Sequence, residues 1–209
     1  GTFISSGHGI QLSNGTLVHT GVTKYINTNG NCSTFLIYSD DHGNSWHKSN
    51  LVGLTTDESK IVELSNGNIL LNSRLYGEND NKRGFFMSSN LGYSWENFES
   101  KIHEVVPCNA GFIKIKNRIS DHLNKNNPIY LFTGTPNNEN RAREELRVSI
   151  SLNEGEDWLI SKTILDKYGG YSDVILLNDG SIGIFYENGI NHPYENISFK
   201  RINLEYIFE

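Results

Sequence analysis

The 209-residue chain predicts an all-β fold assembled from repeated four-stranded units. Three observations carry that prediction. Short runs alternate apolar and polar residues and are bounded by Gly, Asn and Asp, while helix-period stretches are nearly absent. Asn-Gly or Asp-Gly turns fold three of these runs into hairpins, at Ser13-Asn14-Gly15, Ser65-Asn66-Gly67 and Asn178-Asp179-Gly180; both dipeptides tolerate the positive φ of tight turns. A motif of the form Ser-x-Asp/Asn-x-Gly-x-x-Trp is written three times, as "SDDHGNSW" from Ser39, "SSNLGYSW" from Ser88 and "SLNEGEDW" from Ser151.

The elements follow one another in a fixed order. "GIQLSNGTLVHTGV" alternates, turns and alternates back, and "TFLIYSDDHGNSW" follows as a third strand ending in the box. "KIVELSNGNILLNSRL" and "GFFMSSNLGYSW" repeat the arrangement. "GFIKIKN" and "NPIYLFTG" read as another pair, joined by a longer connection from Arg118 to Asn127, with "LRVSISLNEGEDW" after them. "DVILLNDGSIGIFYE" is the last hairpin. Ser13 to Ser39 is 26 positions (39 − 13) and Ser65 to Ser88 is 23 (88 − 65). Units therefore begin near residues 8, 59, 110 and 171, each reading strand, turn, strand, loop, strand, box, strand. Roughly 40–50 residues per four-stranded unit is the period of β-propeller blades.

The boxes fall between the third and fourth strands, where they have a structural task. Asp or Asn accepts hydrogen bonds from turn amides, Gly takes positive φ, and Trp packs beneath the turn. "SDDHGNSW" lacks the alternating acidic ligands and the distal Glu of a calcium loop. No metal or other cofactor is expected.

Composition narrows the function. A net charge of −6 opposes general nucleic-acid binding but permits an anionic small substrate, which needs only local positive charge. No run approaches the ~20 apolar residues of a membrane span. The chain opens on Gly1 without a signal-like segment and is expected to be a processed, tagged or excised piece. Cys32 and Cys108 are too few for a disulfide scaffold and lack metal-site spacing; the sequence leaves open whether they pair.

Strand order separates two rims. The start of a first strand, the end of a second and the start of a third share one rim, and the boxes lie on the other. Glu58 precedes "KIVEL" in a first strand, and Arg74 ends the matching second strand. Arg143 precedes the third strand "LRVSIS", Tyr171 opens the first strand "YSDVILL", and Glu187 ends its partner "IGIFYE". All five are expected on the rim opposite the boxes, as an anion site with a phenol beside a carboxylate. Singly, such residues are ordinary surface or packing groups; their joint placement is the signal.

At these residues the chain resembles the sialidase (neuraminidase) family of bacterial and animal type. The three boxes resemble that family's Asp boxes. "SSGHGIQLSNGTLV" resembles its Gly-Pro-Gly-x-Gly-Ile strand, with Ser6 where Pro is usual. "DESKIVELSNGNILLNSR" resembles the segment with the catalytic Glu and, sixteen positions on (74 − 58), the second substrate Arg. "RAREELRVSIS" resembles the third-Arg segment, and "GGYSDVILLNDGSIGIFYENG" the nucleophile segment. The resemblance implies a retaining exo-α-sialidase that releases terminal sialic acid from sialylated glycans. Tyr171 would be the nucleophile and Glu58 its general base. Arg74 and Arg143 would hold the substrate carboxylate, and Glu187 would orient the remaining Arg of a triad. Arg141 is the alternative to Arg143, which lies eight residues before the box serine (151 − 143). The resemblance also favours a secreted or cell-surface setting.

The resemblance departs at two places. The family's first Arg, in a Phe/Tyr-Arg-Ile-Pro strand, and the acid/base Asp after it have no counterpart before Arg74 and Asp40. Residues 1–209 are thus expected to be the C-terminal part of a six-bladed catalytic propeller, about four blades, with the missing N-terminal part as a partner and little activity alone. "LVHTGV" stands where the family often has Leu-Val-x-Pro. Two other readings remain at this level: a noncatalytic sialoglycan-binding propeller, and a plain scaffold.

Overall fold

The computed structural model describes residues 1–25, 31–77, 80–102, 104–116 and 128–209. The chain forms two compact units, Gly1–Glu99 and Ser100–Glu209. Each holds two antiparallel sheets. The expected connection from Arg118 to Asn127 lies outside the described residues.

In the first unit, one sheet comprises β1 (Thr2–Ile4), β2 (Ile10–Gln11), β3 (Leu17–Lys24), β4 (Cys32–Ser39) and β5 (His47–Lys48). Both β1 and β2 pair with β3, so they form one first strand interrupted between Ile4 and Ile10. The unit therefore starts at Thr2 rather than near residue 8. The interruption has a physical origin: Gly7 takes φ 95°, and the buried Lys60 Nζ donates to the Ser6 carbonyl at 2.5 Å. A buried ammonium needs such an acceptor. The second sheet runs β6 (Thr56–Glu63), β7 (Ile69–Leu75), β8 (Arg83–Ser88), β9 (Glu96–Asn97) in spatial order. Alternate residues of these strands, including Val18, Leu36, Ile61, Ile69 and Leu71, build the core of the unit.

In the second unit, β10 (Gly111–Ile115), β11 (Ile129–Gly134), β12 (Arg147–Ser151) and β13 (Ile160–Thr163) form a complete four-stranded sheet. β14 (Gly169–Leu176), β15 (Ile182–Asn188) and β16 (Asn196–Ile202) form a three-stranded one, which continues into α1 (Leu204–Phe208) instead of a box. Asn203 makes that ending: its side chain accepts from the Tyr206 amide at 3.0 Å as an N-cap, and Leu204 and Ile207 bury one helix face. Ile129, Leu131, Leu146, Val148, Ile150 and Ile184 lie in the core. Cys32 and Cys108 are buried thiols. Among the described residues no helix is long and apolar enough to cross a membrane.

The three Asn-Gly or Asp-Gly hairpins close identically. Leu12, Leu64 and Leu177 donate to the carbonyls of Thr16, Asn68 and Ser181 at 2.8–2.9 Å, and Gly15, Gly67 and Gly180 take φ of 93°, 85° and 85°. The boxes close identically too. Ser39, Ser88 and Ser151 accept the amides of Gly43, Gly92 and Gly155 at 2.8–2.9 Å and donate to Asp41, Asn90 and Asn153 at 2.7–3.0 Å. Those three side chains in turn accept the amides of Ser45, Ser94 and Asp157 at 2.8–2.9 Å. The tryptophans differ. Trp95 and Trp158 are partly buried beside the cores, whereas Trp46 stays 49 % exposed and donates to the Gly43 carbonyl at 3.2 Å.

Two boxes carry a depressed carboxyl: in the third, bonds from Lys101 and Asn153 hold Asp157 below its ordinary value, and in the first the capping residue itself is the acid. The hydroxyl and amide of Ser45 and the hydroxyl of Ser39 hold the Asp41 carboxyl well below the usual carboxylate range. A carboxylate depressed on folding adds stability that is complete above its unfolded value, about 3.9, and is lost as pH falls through the folded one. Asn90 and Asn153 carry no such charge. Asp41→Asn should therefore flatten the acid side of the stability profile: the melting-temperature difference from the parent should shrink from about pH 6 to about pH 2. A difference constant across that range would show that the carboxylate is not held in this way.

Candidate functional site

The same backbone irregularity occurs in β6 and β14. In β6, Thr56 faces Leu75 and Ser59 faces Ser73, so Asp57 and Glu58 stand together against Arg74. In β14, Gly169 faces Asn188 and Ser172 faces Tyr186, so Gly170 and Tyr171 stand together against Glu187. Two residues against one is a β-bulge, which re-aims side chains and raises local twist. Each bulge lies at the end of its hairpin away from the Asn-Gly or Asp-Gly turn. In β6–β8 that is also the end away from the box, since Ser88 pairs with Ile69 beside the turn.

In the first unit, Arg74 Nη1 donates to Glu58 Oε2 at 2.9 Å, with the two side chains 13 % and 14 % exposed. Such a sheltered, charge-assisted bond is stronger than a surface ion pair. The Arg74 guanidinium also lies over the Tyr76 ring, 4.7 Å from its centroid. The Tyr76 hydroxyl hydrogen-bonds the side chain of Asp57, which is only 3 % exposed. Burial raises the Asp57 carboxyl above its ordinary value, helped by the Glu58 charge and opposed by the Tyr76 bond. Burial likewise pushes Tyr76 up to about 12. Behind the bulge, the buried Arg83 donates from Nε and Nη2 to Asn72 Oδ1 at 3.0 and 2.7 Å, and its Nη2 reaches the Glu58 carbonyl at 3.5 Å.

In the second unit, the Tyr171 amide donates to Glu187 Oε2 at 2.9 Å across the bulge. The Arg143 guanidinium faces two phenol rings, Tyr171 at 5.2 Å and Tyr194 at 5.6 Å. It is held by bonds to the Tyr194 hydroxyl at 3.0 Å and the Pro107 carbonyl at 3.1 Å. The backbone just past the bulge is pinned as well: Asn109 Nδ2 donates to the Ser172 carbonyl at 3.0 Å, and the Ser172 and Thr133 hydroxyls are 2.9 Å apart. Tyr171 and Glu187 line a shallow pocket with Asn109, Phe185 and Ile197.

Thus Glu58 and Arg74 are brought together in one unit, and Arg143, Tyr171 and Glu187 in the other. Arg143 stands four residues before β12 instead of opening it. Positive φ at Arg141 (53°) and Glu145 (61°) breaks the extended run, and the strand begins only at Arg147. Arg141 sits in the turn closed by its own amide on the Asn138 carbonyl; the guanidinium over Tyr171 is that of Arg143. Glu187 was expected to orient an arginine and is seen on the Tyr171 amide. Asp57, Tyr76, Asn109 and Tyr194 were not anticipated. Tyr76 was within reach, because residues two apart share a strand face; Tyr194, between β15 and β16, carries no such pattern.

The repeated hairpin-and-box sheets define a class, the β-propeller. The model of the BNR repeat-like domain matches residues 2–184, and the chain belongs to that family. It is similar to a sialidase of Micromonospora viridifaciens, at 30% identity over 94% of this chain and 30% of that protein. Among solved structures, a Hadza microbial sialidase superposes with a TM-score of 0.82 at 24% identity, over 99% of this chain and 38% of the other. A Trypanosoma rangeli sialidase in complex with sialic acid superposes at 0.73 and 21%, over 98% and 32%. These superpositions show the propeller fold, of which the described residues form four sheets; the sialidases themselves are six-bladed. The chain spans about a third of the length of each of these three relatives.

Gly170 is the permissive residue of the second bulge. A Cβ there would land on Glu187 Oε2, inside contact distance. Gly170→Ala should displace the carboxylate from the Tyr171 amide and cost about 1 kcal/mol, the worth of a typical hydrogen bond. A double-mutant cycle in denaturant with Glu187→Ala should show the two losses to be strongly non-additive. Simple addition would mean that the two residues do not act on each other.

Proposed function

We propose that the chain is part of a retaining exo-α-sialidase, the C-terminal part of its catalytic propeller, acting on sialylated glycans. The observation that carries the reading is the arginine-faced Tyr171, fixed on its bulge by Glu187. Membership of the BNR repeat-like family and the similarity to bacterial sialidases support it.

Sialic acid bears a carboxylate on its anomeric carbon. A carboxylate nucleophile would be repelled there and a neutral phenol is not, which is why sialidases depart from the usual pair of carboxylates. The Tyr171 oxygen attacks the anomeric carbon, the bond to the leaving oxygen breaks, and a general base, the role that the sialidase resemblance gives Glu58, takes the phenolic proton. A phenol with a pKa near 10 needs such a base at neutral pH. The leaving oxygen takes a proton from an acid outside these five residues. Water then opens the tyrosyl–sugar bond with overall retention, giving its proton to the conjugate base of that acid, and the general base returns the phenolic proton to the Tyr171 oxygen. The resemblance gives Arg74 and Arg143 the task of holding the substrate carboxylate, which guanidinium groups do by charge-assisted hydrogen bonds. Arg74 bonds Glu58 at 2.9 Å, so substrate binding and the base are linked: a carboxylate that takes over Arg74 breaks that bond.

Tyr171→Phe in the intact protein should lower turnover of a fluorogenic sialoside by orders of magnitude with the fold preserved. A fluorinated, mechanism-based sialic acid should label Tyr171. Near-normal turnover of the variant, or labelling of another residue, would reject the role. Binding of sialosides without turnover in the parent would favour a noncatalytic binding propeller.

A further inference from the structure

The Asp57–Tyr76 pair has no part in the chemistry above, yet it is an expensive construction. Asp57 is 3 % exposed, and its Oδ1 has no hydrogen-bond partner among the described residues. Burying a carboxyl costs free energy unless it is fully satisfied. An apolar pair would fill the same space without that cost. The backbone around it is also held on every side. The Asp57 amide donates to Ser73 Oγ at 3.2 Å, and the hydroxyls of Thr34 and Ser59 donate to the Asp57 carbonyl at 2.8 and 2.6 Å. The Tyr76 amide donates to the Thr55 carbonyl at 3.0 Å. Asp57 is therefore a rigid anchor, and what it anchors is the hydroxyl of a tyrosine whose ring carries Arg74 at 4.7 Å.

The arrangement gives Arg74 two restraints of different kinds. Glu58 holds it end-on by charge. Tyr76 holds it from beneath by its ring face, an attraction that persists when the charge partner changes. Resting on the function proposed above, Glu58 must leave Arg74 when a substrate carboxylate arrives. A guanidinium held by Glu58 alone would then regain its rotamer freedom, whose loss opposes binding. We propose that Tyr76, anchored by Asp57, is a positioning residue that keeps the Arg74 guanidinium aimed at the anion after Glu58 has let go. It touches neither substrate nor reacting atoms.

The proposal has its own readout, independent of turnover. In the 15N-labelled protein, the Arg74 guanidinium signals, assigned by their loss in Arg74→Lys, report rotation about the Cζ–N bonds. Rotation should be slow in the parent, at least about tenfold faster in Tyr76→Leu, and faster in Asp57→Ala. It should return towards the parent rate in Asp57→Asn, whose amide oxygen still accepts the Tyr76 hydroxyl. In the folded, active protein the same two disruptive variants should raise KM for a sialoside about tenfold with kcat within about threefold, the mark of lost uniform binding. A purely structural pair would lower melting temperature without moving the KM of folded molecules. Rotation and KM unchanged in Tyr76→Leu would overturn the proposal. If the parent neither binds nor hydrolyses sialosides, the sialidase reading fails, while the rotation rates still decide the role of Tyr76 towards Arg74.

Discussion

The two-against-one bulge is the constraint on which the candidate site depends. In a regular antiparallel pair, each residue faces a single partner and neighbours point to opposite faces. One extra residue in β6 lets Asp57 and Glu58 both answer to Arg74, one buried and one beside the guanidinium. One extra residue in β14 lets the Tyr171 amide turn to Glu187. The spacing is identical, sixteen residues from Glu58 to Arg74 and from Tyr171 to Glu187. One backbone device has been filled with two chemistries: carboxylate opposite guanidinium in one unit, phenol opposite carboxylate in the other.

The two ends of each hairpin do different work. At the turn end, Asn-Gly and box residues satisfy backbone amides with their own side chains over four or five residues. These hydrogen bonds are local, repeated and indifferent to which sheet carries them. At the bulge end, the polar groups are satisfied across strands: Arg83 on Asn72, Asn109 on the Ser172 carbonyl, Arg143 on Tyr194. Removing one partner there strands another in a sheltered place, where an unmet polar group costs more than the bond contributes. The bulge ends are thus over-determined: each polar side chain there is fixed by a partner on another strand.

The sequence by itself determined the all-β class, the blade period, the position of each hairpin turn and box, and the sixteen-residue spacing that sets Glu58 against Arg74 and Tyr171 against Glu187. Those features are written in short-range chemistry. Asn-Gly demands positive φ wherever it stands, a box serine caps an amide four residues on, and a period of two assigns strand faces. Only the tertiary structure decided the rest. The strand break before Ile10 depends on Lys60, some fifty residues away, finding the Ser6 carbonyl. The delay of β12 to Arg147 depends on backbone strain at Arg141 and Glu145. The bulges, the Tyr76 platform and the Tyr194 clasp on Arg143 depend on which residues face each other across strands, and register is a property of paired chains that no single run of residues contains.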